Sequence, residues 1–125
     1  PCEVVEMETD TDYLLEAGDA IAVRLARDTA LAVVDTSLAN FLAHAAARRG
    51  LIAGRDYGMA SCDESPQVVA IFPWLSRLNF DRNALGSQAA DMMLALLRGE
   101  PQISSIVMRD TWVPGETLPD RNRSR

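Results

Sequence analysis

Thr29-Ala30-Leu31-Ala32-Val33-Val34-Asp35-Thr36-Ser37 is the stretch that decides the fold. It opens as a short, unbroken apolar run. Runs of this kind suit strands buried on both faces, as in parallel sheets. Asp35-Thr36-Ser37 then supplies side-chain acceptors for the free N–H groups of a helix start. Leu38, Phe41, Leu42, Ala45 and Ala46 follow at helical spacing and predict one apolar face. Gly50 is the expected stop after Arg48 and Arg49, whose charges suit the negative end of a helix. A strand running straight into a helix is half of a β-α-β unit.

Upstream, Val4-Val5 begins a short candidate strand that reaches about Glu8. Thr11 and Asp12 are helix caps, and Leu14, Ile21, Ala22 and Leu25 share one face of a helix expected over 13–27, with Gly18 on that face. Downstream, Asp56 to Cys62 is a third strand candidate, broken by Asp63-Glu64-Ser65-Pro66. The apolar run Val68 to Phe72 precedes Pro73, and Leu75 to Phe80 reads as extended. Asp81 caps a long helix carrying Leu85, Ala89, Met92, Met93, Leu96 and Leu97, which Gly99 and Pro101 end. Ile103 to Thr111 reads as the last strand. Residues 114–125 read as a polar tail after a domain over 1–113. Strands alternating with helices predict an α/β fold with a parallel sheet.

Composition narrows the function. At 125 residues the chain is one domain or part of one, and 48% hydrophobic with 24% charged residues is ordinary globular composition. No apolar run approaches the roughly 20 residues of a membrane-spanning helix. The net charge is −6 and every basic residue is Arg. A sequence-independent nucleic-acid binder needs a cationic surface, so this segment is not expected to bind DNA by itself. Two cysteines, Cys2 and Cys62, are too few for a disulfide scaffold. With His44 the single histidine and no paired cysteine spacing, no metal site is expected. Neither a nucleophile elbow, nor a phosphate loop, nor a dinucleotide fingerprint is present, so no cofactor and no enzymatic activity are expected.

In parallel sheets ligands sit at the carboxyl ends of strands. Asp35 and Asp63 fall at such ends, after the second and third candidate strands. Two carboxylates there would suit hydroxyl or amine donors. Asp35 serves equally as a helix cap, and Asp63 as a turn residue.

Several segments together resemble the LacI/GalR transcriptional regulators. Thr29 to Thr36 resembles the family's "pTAvfaanD" segment, and Ala39 to Gly50 the helix that follows it. Gly54 to Ser65 is similar to "vPeDvsvvGfDds", and Phe72-Pro73-Trp74-Leu75-Ser76-Arg77-Leu78 to "tpPLTtv". Asp81 to Pro101 looks like the long helix ending in "Ge.p". The order and spacing match from about Asp12 to Arg109. Departures are Thr36 for the usual Asp, Ser61-Cys62 for Gly-Phe, Arg77 for a small Thr, and Trp74 for a Pro.

The resemblance implies the C-terminal part of a type I periplasmic-binding-protein-like fold, a three-layer sandwich around a parallel sheet. It implies a partial effector-binding domain whose effector is a sugar or another small polar molecule. DNA would be bound only through an N-terminal helix-turn-helix that this chain lacks. Position by position, Tyr13 falls on an aromatic that stacks on the ligand, and Asp35 and Asp63 fall on hydrogen-bond acceptors. Trp74 would line the cleft mouth or pack between subdomains. Leu38, Phe41, Val68, Val69, Ile71 and Phe72 fall where the family forms its homodimer interface. The implied location is cytoplasmic. A sugar-binding protein of an ABC transporter, which shares the fold, is the alternative.

Overall fold

The computed structural model describes residues 2–7, 11–26, 28–100 and 105–118; Thr11, Asp12 and Tyr13 are described by backbone alone. Along the chain run α1 (Thr11–Val23), β1 (Ala30–Val33), α2 (Thr36–Ala47), β2 (Gly58–Ser61), α3 (Pro66–Ile71), β3 (Ser76–Asn79), α4 (Arg82–Leu97) and β4 (Thr111–Val113). The four strands form one sheet in the order β1-β2-β3-β4. β1 pairs with β2 and β2 with β3 in parallel, and β4 closes the edge antiparallel to β3. The α/β architecture with a largely parallel sheet is the expected one.

β1 and the helix after it form where the sequence predicts, but β1 is not buried on both faces. Val33 is buried and Leu31 half-buried, while Ala30 and Ala32 are exposed and Val34, just past the strand, is 74% exposed. Asp35 is extended at the N-cap of α2, and its Oδ1 accepts from the Leu38 N–H at 2.8 Å. The buried stripe of α2 is Thr36, Ala39, Leu42, Ala45 and Ala46. It is turned from the predicted face, leaving Leu38 and Phe41 half-buried. Ala39, Leu42 and Ala46 join Val33, Met59 and Leu75 in the core. Phe41 and Ala45 face α1 across Gly18, where a Cβ would come within 2.8 Å of Phe41 Cε1. Gly18 therefore sets the distance between these two helices. α2 and α4 end by the same device. Gly50 (φ 76°) and Gly99 (φ 72°) adopt the left-handed conformation, so the next N–H turns back onto the helix. Leu51 N–H reaches Ala46 O and Glu100 N–H reaches Ala95 O, both at 3.1 Å.

Four segments differ from the sequence reading. Residues 2–7 form no strand, and Val4 stays 85% exposed. Glu3 instead pairs with Arg24 beyond the end of α1, and Glu8 lies outside the described residues. The helix expected over 13–27 stops at Val23. The last strand is displaced to Thr111–Val113, because that is the register in which it meets Arg77, Leu78 and Asn79; Ile103 lies outside the described residues. Residues 114–118 are not a free tail. Thr117 is 1% exposed; its Oγ1 donates to Met59 O and accepts from Ser76 N–H, both at 2.8 Å. Its carbonyl accepts from Met59 N–H at 2.7 Å, so the segment fills the gap where β2 and β3 have not yet paired. Residues 119–125 lie outside the described residues.

The run Val68 to Phe72 is largely helix α3, started by Pro66. Helical spacing turns Val68 and Phe72 together into the core at 9% and 6% exposure, and sends Ile71 outward at 64%. Val68 and Phe72 are therefore core residues, not surface ones as the interface expectation required. Among the described residues, α2 is the helix that contacts the sheet. α1 and α3 pack on α2, while α4 contacts no other element.

Candidate ligand site at the carboxyl end of the sheet

The register of β1 and β2 fixes the geometry. Val33 pairs with Ser61, so Asp35 and Asp63 each lie two residues beyond a matched pair, at the same end of neighbouring strands. Cys62 N–H donating to Val33 O at 2.7 Å carries the pairing one step further. Thr36 Oγ1 accepts from Ser65 N–H at 3.0 Å and joins the two strand-end turns directly. Thr36 is fully buried, which explains a short hydroxyl where the resemblance leads one to expect a carboxylate.

The turn carrying Asp63 is held from several sides. Ser61 Oγ accepts from Asp63 N–H at 3.2 Å. Glu64 accepts from Arg77 Nε at 2.5 Å, and Arg77 also donates to Leu75 O at 3.1 Å. Arg77 is 8% exposed, and Glu64 is the carboxylate that balances its charge there. Asp63 itself meets Arg82: Nη2 lies 2.5 Å from Asp63 Oδ1 and 2.6 Å from Glu64 O. The Arg82 guanidinium sits 4.6 Å from the centre of the Phe80 ring, a cation–π arrangement.

The predicted site residues do not all meet. Asp35 and Asp63 come to one end of the sheet, with Asp35 acting as the cap of α2 and Asp63 as the partner of Arg82. Tyr13 lies in the first turn of α1, and its side chain is outside the described residues. Trp74 is not brought to that end. It precedes β3, at the amino end of a parallel strand, and packs edge-on against Phe72 with ring centres 5.4 Å apart. Arg82, Glu64 and the Thr36 link were not marked as site residues by sequence reasoning. The Arg82–Asp63 and Thr36–Ser65 contacts span 19 and 29 residues, and no local pattern announces such pairs. The one available signal was the set of departures at Thr36 and Arg77, both of which prove to be buried and bonded.

Among the described residues no three His, Cys, Asp or Glu side chains gather as a metal site, and no helix is long and apolar enough to cross a membrane. What the carboxyl end offers is hydrogen bonding: two carboxylates and a fixed guanidinium on a rigid sheet end, suited to reversible recognition of a polar molecule.

The fold is thus an α/β domain whose largely parallel sheet brings Asp35 and Asp63 to one end. The model of the periplasmic binding protein-like domain matches residues 2–118, and the chain belongs to that family. No curated protein matches the sequence. Among solved structures, a LacI family transcriptional regulator from Bifidobacterium animalis subsp. lactis is similar at TM-score 0.79 and 20% identity, over 93% of this chain and 43% of that one. The transcription regulator CcpA of Lactococcus lactis is similar at TM-score 0.72 and 22% identity, over 90% and 45%. A regulatory protein of LacI family from Chloroflexus aggregans gives 0.66 and 24%, over 90% and 44%. The chain spans less than half the length of these structures.

Proposed function

We propose that this chain is the effector-sensing part of a transcriptional regulator, with a sugar or another small polar molecule bound at the carboxyl end of the sheet. The observation that carries the reading is the matched placement of Asp35 and Asp63 beyond the Val33–Ser61 pair. Ionised acceptors make stronger hydrogen bonds to hydroxyl donors than neutral ones do. Tyr13, at the start of α1, would supply an aromatic face to the ligand. The three structures named above are described as regulators, which favours this reading over a transport protein that delivers sugars. The chemistry is binding without turnover, and no cofactor takes part.

In this reading the intact protein works in the cytoplasm as a homodimer, and its DNA contacts come from a helix-turn-helix outside this chain. Exposed Ile71 and half-buried Val69 remain for the dimer contact once Val68 and Phe72 are assigned to the core, together with only the exposed parts of Leu38, which packs on the core, and of Phe41, which packs on α1. The effector acts by binding one arrangement of the protein better than another, and it shifts the balance only by that difference.

A thermal-shift screen of the chain against sugars, polyols, nucleosides and purines tests the reading. Ligand at about a hundred times its dissociation constant adds about 2.7 kcal/mol. The expected result is a raised melting temperature with one chemical class, abolished in Asp63→Ala. A shift that persists in Asp63→Ala, or no shift with any of the four classes, overturns it.

A further inference from the structure

The proposed acceptor Asp63 is already engaged by Arg82, and Arg82 is the first residue of α4. Apart from this link α4 is held loosely, with Ala95 its one buried residue. It contacts no other element among the described residues and is joined to β3 through Phe80 and Asp81 alone. Asp81 points its side chain into α4, accepting from Ala84 N–H at 2.9 Å, and so holds the helix together without fixing where it lies. Arg82 does fix it. Its Nη2 reaches across to Asp63 Oδ1 and Glu64 O while its guanidinium rests on Phe80. The turn it grips is itself pinned to the start of α2 through Thr36 and to β3 through Arg77.

We propose that Arg82 is a positioning residue that couples the effector site to α4: the Asp63–Arg82 pair anchors α4 on the sheet end, and a ligand that takes the Asp63 carboxylate releases it. The proposal rests on the assignment of Asp63 as a ligand acceptor, and it adds the route by which occupancy is felt elsewhere. Arg82 acts as an internal occupant of the acceptor, so ligand and α4 compete for Asp63. Linkage then requires that removing Arg82 strengthen ligand binding by the factor by which ligand weakens the anchor. Half of the Arg82 side chain is exposed, so the effect is modest, up to about fivefold.

Spin labels at Ala47→Cys on α2 and Gln88→Cys on α4, both exposed positions, with Cys2→Ser and Cys62→Ser, report the distance between the helices in the whole chain. The expected result is one narrow distance distribution in the parent. It broadens in Arg82→Gln and in Asp63→Ala, and narrows again in the charge exchange Asp63→Arg with Arg82→Asp. A distribution equally narrow in the parent and both single variants overturns the proposal. Circular dichroism of each variant shows whether α4 is still helical, so that a moved helix is separated from an unfolded one. D-glucose, D-ribose and adenosine are then added singly. A probe whose binding is lost in Asp63→Ala should broaden the parent distribution and bind Arg82→Gln a few-fold more tightly. If it binds and the distribution stays narrow, the coupling fails and effector sensing stands. If no probe binds while the single variants still broaden, the sensing assignment falls for these ligand classes and the anchor stands.

Discussion

Arg77 and Tyr57 show opposite ways of burying a polar side chain. Arg77 keeps 10% of its side chain exposed and is answered by Glu64, itself at 22%. Removing one partner of such a pair strands a charge, which destabilises far more than the pair stabilises. Arg77→Ala and Glu64→Ala are each expected to lower unfolding free energy by about 3 kcal/mol, toward the low end of that range because water still reaches Glu64. Arg77→Met combined with Glu64→Gln should lose less than the sum of the single changes, since neither leaves a charge behind. Urea denaturation of the three variants checks this. Tyr57 is 3% exposed, and its hydroxyl meets no hydrogen-bond partner among the described residues. Burial first, and the Asp56 carboxylate second, push its pKa up to about 12 from an ordinary 10. The fold therefore favours the neutral phenol. That contribution is complete below pH 10 and is lost as the pH rises from 10 through about 12. A shift of this size corresponds to roughly 2–3 kcal/mol. Tyr57→Phe should be as stable as the parent at neutral pH, or slightly more so, and should lose much less between pH 10 and 12. Denaturation midpoints at neutral and alkaline pH decide it.

At the scale of elements, α2 carries a test that separates structure from recognition. Asp35 caps it through Leu38 N–H. Asp35→Ala should destabilise by about 1 kcal/mol, whereas Asp35→Ser keeps an acceptor at the cap and should be nearly neutral. If Asp35 also meets ligand, Asp35→Ser will hold its melting temperature and still lose part of the ligand-induced shift. An unchanged ligand shift in Asp35→Ser would leave Asp35 with the cap alone. The same helix shows what the sequence could tell. The apolar run of β1, the Asp35 cap and the glycines at 50 and 99 were all readable, because each acts within a few residues of itself. The run Val68 to Phe72 was not, because a short apolar run has no period of its own and Pro66 with the burial of Val68 and Phe72 settles it as helix. The residues nominated at the site divide the same way. Strand ends located Asp35 and Asp63, since a parallel sheet puts such ends together. Arg82 and Glu64 escaped because their partners arrive from distant segments.

For the molecule as a whole, the longest-range of these contacts closes the sheet. Thr117 spans 58 residues to Met59 and 41 to Ser76. Its neighbours extend the seam: Gly115 and Leu118 N–H both donate to Ser76 Oγ at 3.1 Å, and Glu116 N–H donates to Trp74 O at 2.7 Å. Gly54 is shaped for the same segment, with φ at 87° and room for no Cβ, which would lie 2.0 Å from Glu116 O. Residues 114–118 thus complete the pairing of β2 with β3 at the end of the sheet opposite Asp35 and Asp63, and through β3 they support the strand that leads to Arg82. Thr117→Val keeps the side-chain volume while leaving Met59 O and Ser76 N–H without that partner. It should cost about 2–4 kcal/mol, the penalty for two buried groups left unpaired. Gly54→Ala should destabilise in the same direction through the clash with Glu116. Hydrogen exchange locates the effect. Faster exchange at the amides of Met59 and Ser76, with α2 unaffected, is expected if the segment is a local seam. Equal acceleration across α2 and the sheet would show instead that this seam and the core unfold as one unit.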